Sequence, residues 1–564
     1  MATLPHRSAS SDSTASKTDL DLEKTPSLAA DAKHTTATIP ADAEESAAAT
    51  GPFARVTRYL ANLGVETRSI ERVKEEDRDQ VRWIAEGRFG LIAGRVLTSG
   101  DVRDAQISLA RLIRNQIFFW FSVNLSFSTL ATGYLGALYF TLDYRTSMAI
   151  IWLGVPLGVS LSATMAAIGP KTGLRTMAAS RFAGGWPGTA IFSLLNALCQ
   201  LCYAVTTAIS GAQALRAINH GLSLDVGIVI LTVIVLLLSV WGYQFLHYFE
   251  RYAWMGCIVI YCIVLGLGRK GDYDVHRLTA DMDTGAALRA DCLSFLAIMF
   301  SVGSGWCSIA ADYNMTLPVK TPTWAVWISS FIGMCLPILF TCSLSATFMT
   351  LSKDAYVQAF EDDSLGGIVG QILIGGSGGF GKFLMVLLAL STIAANIPNT
   401  YSGALCLQSL HPILMKIPRA IFVIVFAVVY MVVALVGKEH FSEIVSDFAS
   451  ILAYYTVFLC VIVFTEIFWF RRPGGIYERL TGKTTSWDDV TDYSKLPPGI
   501  ACCASIVCVV PLCVVSMAET WYTGPIALAV SKPYGADLGF EMSAGVSLLT
   551  YPLFRYLEMR YFKR

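Results

Sequence analysis

Residues 291–318 read DCLSFLAIMFSVGSGWCSIAADYNMTLP, and the fold follows from how this stretch is interpreted. An apolar helix is expected from Leu293 to Phe300. It is followed by Gly303-Ser304-Gly305-Trp306 and a renewed apolar run from Cys307 to Ala311. Two glycines this close weaken a helix interior, because glycine loses the most backbone freedom on ordering. In water the string reads as a loop. Deep in hydrocarbon, freed peptide groups must be satisfied inside the protein, so it reads as a helix broken around an internal cavity. Trp306 stands at the break, where a flat ring beside exposed peptide groups suits a planar ligand.

The rest of the chain supplies the membrane setting. Of 564 residues, 54% are hydrophobic and 15% charged, whereas soluble domains carry about 25% charge. Roughly twelve apolar runs are each long enough to cross a hydrocarbon core of ~30 Å. None alternates with the period of a strand, which argues against a barrel. The expected class is an all-α polytopic membrane protein. Its spans fall at 117–140, 146–168, 189–213, 226–246, 252–268, 291–312, 324–350, 380–409, 419–437, 443–469, 499–518 and 536–555. The formal net charge of +0 says nothing about partners, and no basic stripe outside the loops marks a nucleic-acid surface. The fourteen cysteines lie mostly within apolar runs, which is no disulfide framework; Cys199-x-x-Cys202 sits inside a span and reads as packed thiols.

Composition divides the chain. Residues 1–63, rich in Ala, Ser, Thr and Asp, read as a disordered cytoplasmic tail. Residues 64–116 form a charged pre-membrane segment, 117–469 a ten-span core, 470–498 a cytoplasmic loop, and 499–564 two accessory spans with a short carboxyl end. The first apolar run begins near residue 117, so no cleaved signal peptide is expected. Lys171, Arg175, Arg181, Lys320, Lys416, Arg419, Arg471 and Arg472 fall in alternate loops. Asp272, Asp274, Asp281, Asp283, Glu361, Asp362 and Asp363 fall in the others. This bias places both termini in the cytoplasm. The strings Asn124-Leu-Ser126 and Asn314-Met-Thr316 are therefore not expected to be glycosylated. Gly376-x-Gly378-x-x-Gly381 matches a dinucleotide fingerprint but has no strand–loop–helix unit around it, and reads as a hinge before span eight.

Span one is interrupted as well: Asn124, Ser126, Ser128, Thr129 and Thr132 precede Gly133 and Gly136. It opens a first group of five spans as span six opens a second. Paired discontinuous helices point to an inverted-repeat transporter with its site at the midplane; glycine kinks that merely pack on neighbours are the competing reading. Span eight carries Ser391, Thr392, Asn396 and Asn399 in apolar sequence, with Pro398 freeing a carbonyl near Ala394. A carboxamide offers donor and acceptor together, the complement of a heterocycle edge. On span three, Tyr203 and Thr207 share a face, and Asn196 and Gln200 extend a polar stripe along it. That stripe lines a cavity or makes ordinary helix contact. Of the acids in the spans, Glu466 reads as an interfacial ion pair with its arginine neighbours, and neither Asp312 nor Asp447 is singled out as a proton carrier. A membrane enzyme would need an assembled acid–base or metal constellation, and the scattered His220, His247, His411 and His440 supply none. No metal or organic cofactor is expected.

In chain order, GVETRSIERV (64–73), WFSVNLSFSTLATGYLG (120–136), GPKTGLRTMAASRF (169–182), GWCSIAADY (305–313), AANIPNTYS (394–402), SKLPPGIA (494–501) and YPLFRYLEMRYF (551–562) resemble the motifs of the fungal purine–cytosine permeases of the nucleobase–cation symporter family. The resemblance implies a leucine-transporter-like fold of ten helices in two inverted fives, plus two. It implies a substrate stacked between aromatic rings of helices three and six and hydrogen-bonded to amides of helices three and eight. Carried to this chain, the substrate-binding set is Trp306 with Gly305, Tyr203 where the permeases usually have Trp, Thr207 where they usually have Asn, and Asn396 and Pro398. Ser126 and Thr129 join it from the break in span one. Ala395 replaces the first Asn of the usual N-N-I-P. Ser391 and Thr392 resemble the sodium position of this fold, while proton coupling is the family expectation.

The implied function is uptake of a planar nucleobase-like heterocycle, purine or cytosine, by proton symport across the plasma membrane. Pyridoxine is the alternative substrate, and a non-transporting nutrient receptor the alternative class. The expected partners are that small molecule and the lipid bilayer, with oligomeric state open. The departures at Tyr203, Thr207 and Ala395 remove amides and shrink one ring. Each unmade bond to a buried group costs ~1–3 kcal/mol, so they weigh against cytosine itself.

Overall fold

The computed structural model describes residues 72–75, 78, 99–241, 243–280, 282–532 and 534–564, all within the unit Glu45–Arg564. The expected tail, 1–63, lies outside the described residues, as does most of the pre-membrane segment 64–116. The principal helices are α1 (Ser99–Asn124), α2 (Tyr144–Ala166), α3 (Thr176–Ile218), α4 (Leu224–Trp241), α5 (Tyr243–Gly268), α6 (Gly285–Ser304) and α7 (Thr323–Phe348). They continue as α8 (Asp354–Ser377), α9 (Gly379–Ser409), α10 (Arg419–Gly437), α11 (Phe441–Phe464), α12 (Ile500–Ser516) and α13 (Gly539–Phe562). All but α8 correspond to an expected span. Among the described residues seven stretches are long and apolar enough to cross a bilayer by themselves, one of which, Arg419–Phe470, holds both α10 and α11.

The contacts between helices carry the repeat. Spans one to five are α1 to α5; spans six to ten are α6, α7, α9, α10 and α11. Exchange each member of the first group for its counterpart, and the packing maps onto itself. The pair α2–α6 becomes α7–α1, α1–α5 becomes α6–α11, and α3–α4 becomes α9–α10; all of these pack together. The α3–α9 and α2–α7 pairs are their own images and also pack. The two fives are thus related by an inverted repeat.

Three features differ from expectation. Helix α1 begins at Ser99 rather than near residue 117. Helix α3 absorbs the loop expected before residue 189 by kinking at Gly185 (φ 56°, ψ −161°). A Cβ at that glycine would sit 2.2 Å from the Pro497 carbonyl. The third is α8, whose two arms meet at Asp363 and Ser364 (φ 48°). Gly366 and Gly370 let one arm press on α3 at Gln213 and Ala217, and Arg216 Nε holds Asp363 Oδ1 at 3.1 Å. The glycine string beyond it makes a tight turn at Gly378 (φ 61°, ψ −126°) that starts α9.

The accessory helices are fastened by buried charge. Glu466 accepts from Arg471 Nε at 2.7 Å, from Arg555 Nη2 at 2.8 Å and from Tyr551 Oη at 3.0 Å. Glu558 accepts from Arg555 at 2.9 Å and caps α12 through the amide of Ile500 at 2.8 Å. Two carboxylates face two guanidiniums, so each charge of this cluster has a partner of opposite sign. A two-stranded hairpin, Ala518–Glu519 with Tyr522–Thr523, lies in the connection between these helices.

Candidate functional site

Both interrupted spans are broken, span six within the expected Gly303–Gly305 and span one ahead of its expected glycines. In span one, α1 stops at Asn124, Ser126 is extended (φ −90°, ψ 159°), and a 3-10 turn, Phe127–Ala131, leads to a second irregularity at Thr132. In span six the α-helix runs through Gly303 to Ser304 and continues only as 3-10 turns, Gly305–Ser308 and Ala310–Tyr313. Gly303 is therefore not a cavity glycine. A Cβ there would lie 2.6 Å from the Val155 carbonyl and the Val159 amide of α2, and its own carbonyl accepts from Ser162 Oγ at 2.7 Å. Gly133 likewise packs on the Cys342 backbone of α7. These two glycines serve close helix packing; Gly305 serves the cavity.

That cavity lies between the two breaks. From α1 and its break come Asn124, Ser126 and Thr129; from span six, Gly305 and Trp306; from α3, Gln200, Tyr203, Thr206 and Thr207; from α9, Ala395 and Asn399. One wall is α11, through Val445, Phe448 and Leu452. Among the described residues no Asp, Glu, His, Lys or Arg lines it.

The two aromatic groups are held by different means. Trp306 Nε1 donates to Asn124 Oδ1 at 2.8 Å, and the ring meets Trp120 edge to face at 5.4 Å. Tyr203 is braced by Phe448 at 4.9 Å, nearly perpendicular. Its hydroxyl lies over Gly305, where a Cβ would come within 2.1 Å of Oη. The polar rim at the span-one break is a local cluster: Ser126 Oγ lies 2.8 Å from Ser128 Oγ and 3.2 Å from Thr129 Oγ1.

The structure brings Trp306, Gly305, Tyr203, Thr207, Ser126 and Thr129 together around one space. It does not bring Asn396 or Pro398 into that lining. Asn396 turns to α3, where Nδ2 donates to the Ala204 carbonyl at 3.3 Å. On α9 the cavity face is instead Ala395 and Asn399, four residues apart and so on one side of the helix. Ser391 and Thr392 are engaged in protein contacts. Ser391 Oγ accepts from the Phe127 amide at 3.1 Å and donates to the Leu388 carbonyl at 2.6 Å; Thr392 Oγ1 donates to the Ala389 carbonyl at 2.7 Å. Ser391 thus touches the unwound part of span one. Of the polar stripe on α3, Gln200 lines the cavity and Asn196 does not; sequence reasoning missed Asn124 as a cavity residue, although it stood in a polar run, and missed the α11 wall, whose apolar sequence gives no signal.

Beyond the cavity, Trp120 and Tyr313 pack edge to face at 5.7 Å. Past them Asp312 accepts from the Thr176 amide at 2.8 Å and pairs with Arg175 at 3.6 Å. At the other end, Tyr134 meets Phe360 of α8 at 5.2 Å and lies 3.4 Å from Ser442 Oγ. Farther along the same elements is a second cavity, lined by Tyr139, Arg277, Phe360, His440 and Glu443 among others.

A family model described as permease for cytosine/purines, uracil, thiamine, allantoin matches residues 110–478. The chain is 28% identical to the purine-cytosine permease FCY2 of Saccharomyces cerevisiae, over 90% of this chain and 89% of that one. It is 28% identical to the purine-cytosine permease fcyB of Emericella nidulans, over 97% and 99%. It is also 28% identical to the vitamin B6 transporter TPN1 of S. cerevisiae, over 79% and 84%. Among solved structures it resembles Mhp1, a nucleobase-cation-symport-1 family transporter, in a closed conformation with bromovinylhydantoin bound. The TM-score is 0.58 at 18% identity, covering 80% of this chain and 93% of that one. At that identity the likeness establishes the fold, which is leucine-transporter-like, with two inverted fives and two further helices.

Proposed function

Since this chain belongs to the family of permeases for cytosine/purines, uracil, thiamine and allantoin, we propose that it imports a planar nitrogen heterocycle of nucleobase size by proton symport and alternating access. It acts at the plasma membrane with both termini in the cytoplasm, and its core is residues 117–469. The substrate lies between Trp306 and Tyr203, with Gly305, Thr207, Ser126 and Thr129 around it. The observation that supports this most is the pairing of the two breaks. Trp306 at one break is oriented by Asn124 at the other, so ligand contact at one half is felt directly by the second. A planar ring in such a slot gains stacking on one face and apolar contact with Tyr203 and Phe448 on the other. Backbone groups at the breaks and the short hydroxyls supply its polar edge.

In place of Asn396, α9 offers Asn399 as an amide to the ring edge. Ser391 is read as a joint between α9 and span one. Protons rather than sodium drive uptake in this proposal, and the cation coupling of the family is the coarser basis for it. A competition panel tests the reading: uptake in a permease-null host across purines, cytosine, uracil, allantoin and pyridoxine. Saturable, protonophore-sensitive accumulation of a purine or cytosine is expected. Accumulation of pyridoxine alone would move the substrate to the vitamin class, and surface expression with binding but no accumulation would make the protein a receptor.

A further inference from the structure

Gln200 is a cavity residue whose amide has one end anchored and one end without a partner. It lies on α3 one turn before Tyr203, lines the cavity, and is 1% exposed. Its Nε2 donates to Asn196 Oδ1 at 3.2 Å, and Asn196 Nδ2 donates in turn to Cys406 Sγ of α9 at 3.0 Å. The chain Cys406–Asn196–Gln200 therefore runs from α9 through α3 and stops at Gln200 Oε1, which has no hydrogen-bond partner. Buried polar atoms in native proteins are nearly always satisfied, so an orphaned carbonyl at the wall of a binding cavity calls for a ligand or water. Of the other lining amides, Asn399 is on α9 and Asn124 is spent: Oδ1 takes the Trp306 indole and Nδ2 the Trp120 carbonyl at 2.9 Å. Thr207, one turn beyond Tyr203 on the same helix, is a shorter group without the reach of an amide.

We propose that Gln200 is a specificity-determining residue of the substrate site, its Oε1 accepting a hydrogen bond from an N–H on the edge of the transported heterocycle. This rests on the reading of the cavity as the substrate site. It narrows the ligand class to heterocycles with a ring or exocyclic N–H at that edge and disfavours derivatives alkylated there. Asn196 is a positioning residue, since it takes the donor end of the amide and leaves the carbonyl for the ligand.

The test measures uptake of labelled adenine, cytosine and pyridoxine by the full chain in a permease-null host, normalised to surface protein. Unlabelled N-methyl derivatives of each, one N–H blocked at a time, serve as competitors. Wild type, Gln200→Met and Gln200→Asn are compared. Met keeps the length without the carbonyl. Asn keeps the amide but withdraws it by one methylene, so a folding defect of the apolar variant does not remove the test. In wild type, one N-methyl derivative should compete roughly 10–100-fold more weakly than its parent, the scale of a lost bond to a buried group. Both variants should raise the parent's KM by a similar factor and erase that discrimination, with Vmax changed less. Unchanged KM and an unchanged methyl-derivative pattern in both variants, while Trp306→Ala loses uptake, would overturn the role of Gln200 and leave the substrate site standing. Uptake of none of the three probes by wild type would overturn the site reading and this inference with it.

Discussion

Trp306 Nε1 donates to Asn124 Oδ1 at 2.8 Å, joining the break in span six to the break in span one. Asn124 is fixed by its second bond, to the Trp120 carbonyl at 2.9 Å. The indole plane is therefore set by a residue of the opposite repeat. Asn124→Leu keeps the volume and orphans the indole N–H, at a cost of ~1–3 kcal/mol. Substrate KM should rise about 5–100-fold, while Asn124→Asp, which keeps the acceptor, should lose less. Competition curves on cells with matched surface expression measure both.

Gly305 and Tyr203 form a second coupled pair. A methyl at residue 305 would meet Tyr203 Oη at 2.1 Å but the ring carbon behind it only at 3.0 Å. Gly305→Ala should displace the Tyr203 ring and lower uptake at least tenfold, the scale of overpacking a close-packed interior. Adding Tyr203→Phe removes the clashing oxygen, so the double variant should regain part of the lost uptake. A double-mutant cycle on uptake rate gives the coupling; strict additivity would contradict this geometry.

Sequence made the two interrupted spans legible because glycine and hydroxyl residues in apolar runs have few other uses. It located the break of span six, at Gly305, but not that of span one, which comes earlier, at Asn124 to Ser126. Gly303 and Gly133 look like break residues, yet each is small because another backbone presses on it. In span eight the sequence named the polar residues but not their direction. Asn396 and Asn399 are three apart, yet the first bonds α3 and the second lines the cavity. A helix packed on several sides carries no amphipathic stripe to reveal which face is which. The α11 wall was hidden for the same reason. Helix α8 was missed because its two arms, kinked at Asp363 and Ser364, are each too short to read as a span.

Ser391 bridges α9 and the unwound chain through the Phe127 amide. Ser391→Ala leaves that buried N–H without an acceptor, so Vmax should fall several-fold with substrate KM changed less. Replacing external sodium with choline should leave wild-type uptake unchanged, and a protonophore should abolish it. Sodium-dependent uptake lost in Ser391→Ala would instead make this joint a cation site.

The hairpin beyond α12 carries a pH dependence. Glu519 Oε1 and Asp537 Oδ2 both lie on Tyr454 Oη, at 2.9 and 2.5 Å. Asp447, bonded to Thr520, Glu541 and the Cys513 thiol lie close to the pair. Burial pushes the Glu519 carboxyl from its ordinary 4.5 up to about 10. This acid holds its proton more tightly folded than unfolded, so stability is highest below pH 4 and falls as pH rises through this window. The apparent Tm of the purified protein should therefore drop between pH 5 and 8. Glu519→Gln should flatten that slope; an unchanged slope would contradict the assignment.

The central claim is that a flat substrate is held against Trp306 between the two breaks. The most direct measurement is accumulation of labelled adenine and cytosine in a permease-null host, for wild type and Trp306→Ala at equal surface abundance. The account predicts saturable accumulation of at least one of them by wild type and none by the variant. Wild-type KM and rate retained in Trp306→Ala would contradict it.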